Sequence, residues 1–342
     1  MMMMMMMPTM MMTCSMDDTV SSWNYNSRTL PGEIAGWLYR HDGKVNPAAR
    51  FDKHKEVFTF GVFVDNVAVG LTWQSRTIRK MDGFLYGEVD NHGDFTGDNI
   101  TFIYPDFLTG LRGYFKDGVL VAATAVDIVA ERCNAGVKEL RIEAAQYDSE
   151  VVWEKDETSL RYIGKNRKVM DPYERKSVYV KKSTNPVAFE GLFARRNFLP
   201  GDIVSYYGGQ KVYNEEKVFK NMTLEEKYEV SACHLALGKR APAWLGLPAD
   251  LLVDVSAEFR SVVEYRTTLG HKANHSFDNN VEYWVVDHPV LGAIACLVAQ
   301  TEIDVGQEIF AHYRYNKVNL AWYNEEYDHV YGARCYSRKK SC

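Results

Sequence analysis

A glycine recurs at a nearly fixed interval through the first third of the chain, each time followed by the same kind of sequence. The anchors are Gly36, Gly61, Gly87 and Gly113, spaced 25, 26 and 26 residues apart. Each leads into two to four mostly apolar or aromatic residues and then an acidic or amide turn: Asp42-Gly43, Asp65-Asn66, Asp90-Asn91 and Asp117-Gly118. Turns of this composition between short apolar runs predict β-hairpins. A unit of about 25 residues is too small to bury a core of its own, so neighbouring hairpins must stack into one elongated sheet.

Composition agrees with a strand-rich chain. The 24 Gly against 10 Pro favour strands and tight turns, and the 21 Tyr, 16 Phe and 7 Trp supply more rings than a disordered chain would carry. Of 14 Met, 11 fall within residues 1–16. That leader lacks a basic start and is too short to span a bilayer, so residues 1–30 are expected to be a disordered Met-rich leader. No other run of apolar residues is long enough to cross, and the chain reads as soluble. Six scattered cysteines, with Cys335 and Cys342 too far apart for paired zinc spacing, read as reduced thiols, and no metal site is expected. The formal charge of −5 is matched by one segment, 81–118, where seven acidic residues face Arg112 and Lys116. Such a segment suits either long-range steering of a basic partner or a solvated strand face.

The aromatic-Gly start and the later Gly of each unit resemble the MORN repeat, in degenerate copies over 31–126. Residues 127–170 show no clear period and are read as connecting strands and loops. Asp171-Pro172-Tyr173-Glu174, followed by Val178-Tyr179-Val180, opens a second strand-rich domain over 171–315. Residues 316–342 are read as a C-terminal helical segment with a basic tail.

Four separated segments of that second half carry chemistry: Ala188-Phe189-Glu190-Gly191, Val204-Ser205-Tyr206-Tyr207-Gly208-Gly209, Gly270-His271-Lys272-Ala273-Asn274-His275-Ser276 with Tyr283 beyond it, and Gly306-Gln307-Glu308-Ile309-Phe310-Ala311-His312-Tyr313. They contain no phosphate-binding loop, no HExxH and no nucleophile elbow. The Asn-His-Ser tripeptide and the Gly-x-Glu-Ile-x-x-x-Tyr ending resemble the SET domain of protein-lysine methyltransferases. The run GHKANHSF and the repeats ahead of it point to the branch of that family that carries MORN repeats and monomethylates lysine 4 of histone H3.

The resemblance implies a mainly β chain: a MORN-repeat antiparallel sheet, then a SET β-fold with knot-like threading and a short C-terminal helix. It implies S-adenosyl-L-methionine as cofactor and a lysine in a basic peptide, from a histone tail or another protein, as methyl acceptor. Methyl transfer to an amine needs alignment and a neutral nucleophile rather than a metal. Taking a lysine of pKa about 10.4 neutral near physiological pH costs roughly 4 kcal/mol, which an apolar, ring-lined channel reduces by disfavouring the ammonium.

By resemblance Tyr313 orients the amine, Tyr207 and Tyr283 hydrogen-bond it and restrict the product to monomethyl-lysine, and Tyr315 and Lys272 contact the substrate. Ala188, Glu190, Asn274, His275, Trp322 and Glu326 correspond to cofactor-binding positions. The family implies a nuclear (chromosomal) and cytoplasmic protein, acting as a monomer, without reading nucleic acid and without a membrane. Three departures stand out. Phe189 replaces the first Gly of a Gly-x-Gly turn, where a demand for positive φ would cost about 1–2 kcal/mol. Gly208 replaces an Asn, and Gly238-Lys239-Arg240-Ala241-Pro242 does not reproduce the family's groove. The alternative from another class is a non-catalytic SET/MORN scaffold that binds a partner; the three tyrosines favour catalysis, and Phe189 favours the scaffold.

Overall fold

A computed structural model describes residues 47–52, 57–64, 67–75, 83–134, 137–159, 162–186, 188–213, 234–236, 247–248 and 251–313. The leader, the repeat around Gly36, most of the divergent 214–250 segment, and Tyr315, Trp322, Glu326, the expected C-terminal helix and the basic tail lie outside the described residues. The chain divides after Ser149 into two compact units.

The first unit is an antiparallel meander in which every strand pairs with the next: β1 (Pro47–Asp52), β2 (Val57–Val64), β3 (Val67–Ser75), β4 (Phe84–Val89), β5 (Gly97–Ile103), β6 (Thr109–Lys116), β7 (Val119–Asn134) and β8 (Val137–Ala144). Gly61, Gly87 and Gly113 fall on β2, β4 and β6, one per hairpin, as the interval predicted. Gly113 shows why a side chain is excluded there: a Cβ would lie 2.1 Å from the Ala122 carbonyl oxygen on β7. Asp117 and Gly118 join β6 to β7 with φ of 51° and 74°, the two left-handed residues of a tight type I′ turn, and Lys116 pairs directly with Val119.

Alternate residues fill one face of this sheet. Trp73 lies opposite Tyr86 across β3 and β4 with ring centroids 4.6 Å apart, in a cluster with Phe60, Phe84 and Ile103. Each such side chain contributes roughly 1.5–3 kcal/mol by leaving water. The Tyr86 hydroxyl accepts a bond from the Leu140 amide at 3.0 Å, tying β4 to the last strand. The sheet runs to Ala144, so the boundary expected after residue 126 falls inside β7.

Three of the segment's seven acids, Asp90, Asp106 and Asp117, sit in turns. The Asp90 carboxylate accepts from the amides of His92 and Asp94, that of Asp106 from Leu108 and Thr109, and the Asp117 amide donates to Thr96. These acids shape turns and remain charged there.

The second unit begins with a short helix α1 (Pro172–Ser177). Asp171 caps it by accepting from the Tyr173 amide at 2.9 Å, and Pro172 occupies the first turn. A seven-stranded sheet follows in the order β11-β17-β16-β18-β10-β9, with β15 paired to β18. Its strands are β9 (Val178–Lys182), β10 (Glu190–Ala194), β11 (Ile203–Tyr207), β15 (Asn274–His275), β16 (Val281–His288), β17 (Gly292–Ala299) and β18 (Glu308–Ala311). β12 (Gln210–Tyr213), β13 (His234–Ala236) and β14 (Leu251–Asp254) form a separate three-stranded sheet in the order β12-β14-β13. β17, Gly-Ala-Ile-Ala-Cys-Leu-Val-Ala, is buried along its whole length, so its sequence is continuously apolar rather than alternating. Cys296 within it is fully buried. Among the described residues no helix is long and apolar enough to cross a membrane, and no cluster of three acidic, His or Cys side chains could hold a metal ion.

Candidate active site

β17 sets the first pair of rings. Tyr207, the last residue of β11, lies opposite Ala295, and Tyr283 of β16 lies opposite Leu297 on the other side. Residues 295 and 297 share a face of β17, so both tyrosines project to that face over the small Ala295. Their rings meet edge to face at 6.1 Å and 78°. Tyr207 is 7% exposed and Tyr283 half-buried, packed against the clusters on both sides.

β18 sets the rest. It runs parallel to β15, with Asn274 beside Phe310 and His275 beside Ala311, and the chain leaves it at His312-Tyr313. The Tyr313 amide donates to His275 Nδ1 at 3.1 Å, and the Tyr313 hydroxyl donates to the Ala273 carbonyl at 2.8 Å. A hydroxyl whose proton is committed retains only acceptor capacity. Tyr313 is half-buried and packs against the same cluster as Tyr283.

Because His275 Nδ1 accepts, the ring proton sits on Nε2. Burial, with His312 beside it, lowers the His275 pKa to about 4, and the ring stays neutral near pH 7. His271 is more extreme. Burial and then the neighbouring Lys272 lower its pKa to about 3, and its ring lies edge-on to Tyr207 at 6.4 Å and beside Tyr265 at 5.5 Å. Cationic forms of both imidazoles are thereby excluded from the surroundings of Tyr207 and Tyr313.

The turn between β9 and β10 is the third component. Asn274 Nδ2 donates to the Glu190 carbonyl at 2.8 Å, to Ser183 Oγ at 3.1 Å and to Glu308 Oε1 at 3.2 Å. Glu308 also accepts from Ser183 Oγ at 2.6 Å, from the Thr184 amide at 2.7 Å and from the Thr184 hydroxyl. Burial alone would raise the Glu308 carboxyl, but the bonds from Ser183, Thr184 and Asn274 outweigh it and hold it below the ordinary value. Gly191 permits this approach, since a Cβ there would stand 2.1 Å from Glu308 Oε1. Lys272 Nζ donates to Glu190 Oε2 at 2.7 Å, so two residues assigned to different ligands form one ion pair, worth about 0.2–1 kcal/mol at this exposure.

Phe189 reverses an expectation. Among the described residues the non-glycine positions with positive φ are Asn99, Phe107, Asp117 and Asp148, and Phe189 is not one of them. Its side chain is 92% exposed, so the backbone there carries no left-handed strain and the ring is in solvent. The absence of Asn at 208 also has a physical reason. A Cβ there would lie 2.7 Å from the Tyr265 hydroxyl and 3.1 Å from Thr268 Oγ1, and the Gly208 amide donates to that Thr268 oxygen at 2.8 Å.

The structure therefore brings Asn274, His275 and Tyr313 together, joins both Asn274 and Lys272 to Glu190, and pairs Tyr207 with Tyr283. Sequence reasoning missed Glu308, Ser183-Thr184 and Glu174. Glu308 and Glu174 stood inside quoted motifs, but nothing local said what their carboxylates hold.

The SET domain family model matches residues 190–314, which contain all five of these strand-borne residues. A second family model, described as the N-terminal region of the histone H3 K4-specific methyltransferase SET7, matches residues 63–135. Residues 190–314 are thus similar to the SET domain. A curated relative, "Histone-lysine N-methyltransferase SETD7" of Halocynthia roretzi, is 28% identical over 292 residues, covering 82% of this chain and 70% of the relative. Solved SET structures overlap it over shorter stretches. The Neurospora SET domain protein DIM-5, a histone lysine methyltransferase, is 21% identical over 43% of this chain and 57% of its own, with a TM-score of 0.31. The ctPRC2 chain, solved bound to S-adenosylmethionine, is 22% identical over 45% of this chain and 17% of its own, with a TM-score of 0.30. In the SET domain, β18 beside β15 is the element that joins the Asn-His pair to the terminal tyrosine.

Proposed function

We propose that this SET domain transfers a methyl group from S-adenosyl-L-methionine to the ε-amine of a lysine in a basic protein segment, with monomethyl-lysine as the main product. The observation that carries the reading is the joint placement of Tyr207 with Tyr283 on one face of β17 and of Tyr313 on the backbone of Ala273 and the ring of His275.

The exposed turn 188–190 offers backbone groups, and Asn274 and His275 add an amide and a neutral imidazole. That donor set fits the amino-acid and nucleoside ends of the cofactor without a metal. When bound, S-adenosyl-L-methionine supplies an electrophilic methyl group on a sulfonium. The chain's own part is alignment and control of protons. Tyr313, its hydroxyl proton held by Ala273, offers lone pairs to an amine N–H and so orients the nitrogen. Tyr207 and Tyr283 close the space around that nitrogen. Neutral His271 and His275 add no positive charge against the loss of the ammonium proton. Lys272, tethered to Glu190, and Tyr315 contact the peptide; Trp322 and Glu326 close over the cofactor.

A histone tail, including lysine 4 of histone H3, fits this chemistry and would place the work in the nucleus; a non-histone substrate would place it in the cytoplasm as well. The chain acts as a monomer, and the N-terminal hairpins, read as MORN repeats, present the domain. The scaffold alternative rested on Phe189 disturbing the cofactor turn, and that turn is unstrained. Titration calorimetry of the full chain with S-adenosyl-L-methionine tests the reading. One saturable site is expected, and absence of heat at millimolar cofactor would overturn catalysis.

A further inference from the structure

Glu174 is fully buried, yet its carboxylate is not an ion-pair partner of any lysine or arginine in the described residues. It is spent on three donors from two other elements. Glu174 Oε1 accepts from the Tyr206 amide at 2.5 Å and Oε2 from the Leu269 amide at 3.2 Å, while Ser205 Oγ lies 3.1 and 2.8 Å from the two oxygens. Ser205 and Tyr206 are the two residues before Tyr207 on β11. Leu269 is the residue before the 3₁₀ turn Gly270–Lys272, which leads directly into Asn274-His275. One carboxyl group from the first turn of a short helix thus ties the strand bearing the lysine-facing tyrosine to the segment bearing the cofactor pair.

We propose that Glu174 is a positioning residue for methyl transfer: it fixes the register between Tyr207 on β11 and the 269–275 segment. The inference rests on the methyltransferase reading above. Two neighbouring contacts support the same joint. The Gly208 amide donates to Thr268 Oγ1 at 2.8 Å, and the Tyr265 hydroxyl shares that oxygen at 2.7 Å. Beneath them the Val290 and Leu291 amides both donate to His288 Nδ1 at 3.2 Å, leaving the His288 proton on Nε2, which faces the Asp171 carboxylate at 3.3 Å. Tyr206 packs between Tyr173 of α1 and His288, so the helix is anchored where Glu174 leaves it.

Both oxygens of the Glu174 carboxyl, protonated or not, keep lone pairs that accept. Glu174→Gln is nearly isosteric but places an NH2, which cannot accept, against either the Tyr206 or the Leu269 amide, so one of the two joints must open. The expected result is a kcat lower by on the order of tenfold to a hundredfold, because small misplacements of reacting groups carry penalties of that size. Peptide KM and cofactor affinity should stay within about threefold, and the stoichiometry of cofactor binding should stay at the wild-type value, so that lost rate is not lost folded protein. The dimethyl share of product should rise as Tyr207 moves away from Tyr283. Ser205→Ala, a milder step on the same contact, should lower kcat by roughly threefold in the same pattern. If Glu174→Gln does not fold, Ser205→Ala decides alone. Active wild type with unchanged kcat and product distribution in the folded variants overturns the positioning role. Wild type that transfers no methyl group overturns the methyltransferase reading and this inference with it.

Discussion

Tyr313 is the residue whose chemistry is most constrained, because its hydroxyl proton is committed to Ala273 and its amide to His275. Tyr313→Phe removes the acceptor and the Ala273 bond while keeping the ring in place. Methyl transfer in a radiolabel assay should fall by on the order of a hundredfold with the melting temperature within a few degrees. Equal activity would remove the hydroxyl from the mechanism. Tyr283→Phe acts differently, since it opens space beside Tyr207 without touching Tyr313. Its product should contain dimethyl-lysine, and a purely monomethyl product would contradict its limiting role. These residues were legible because they sit in short, dense motifs. Glu308 was not: its partners Ser183 and Thr184 lie 125 and 124 residues away, and no local pattern specifies such a contact. Phe189 was misjudged for a related reason, since the side chain says nothing of φ until the turn around it is known.

At the level of elements, two buried carboxylates tie the site together and titrate in opposite senses. Burial raises the Glu174 pKa to about 8, despite the bonds from Tyr206, Ser205 and Leu269 and with Asp171 adding to the rise. The folded state therefore binds a proton that the unfolded chain releases above the ordinary glutamate value, and stability falls as pH rises from roughly 4.5 toward about 8. Glu308 is held below its ordinary value, so its contribution is present above that value and is lost as pH falls. Melting temperature against pH should accordingly decline less steeply on the alkaline side in Glu174→Gln, and less steeply on the acid side in Glu308→Gln. Parallel curves for wild type and Glu174→Gln between pH 5 and 8 would contradict the first sign. The strands themselves were partly readable: Asp117-Gly118 announced its hairpin, and Asp171-Pro172 announced a strand-rich domain, although the short helix α1 comes ahead of its first strand. β7 and β8 were obscured because a register shift between Ile128 and Ala130 breaks the alternation that marks a strand.

For the whole molecule, the glycine interval and the Asn-His and terminal-tyrosine motifs described two strand-rich units before any coordinates. The acidity of 81–118 was legible as a number but not as a role. Asp90, Asp106 and Asp117 proved to be occupied in turns. What joins the parts of the SET domain, the Glu174 and Glu308 hubs, emerged only from packing. The central claim is that this chain moves one methyl group from S-adenosyl-L-methionine to a lysine amine. Mass spectrometry of histone and non-histone lysine peptides incubated with the full chain and cofactor tests it most directly. The account predicts a gain of a single methyl group on a lysine, dependent on cofactor and strongly reduced by Tyr313→Phe; no methyl gain on any peptide by a folded chain that binds the cofactor would contradict it.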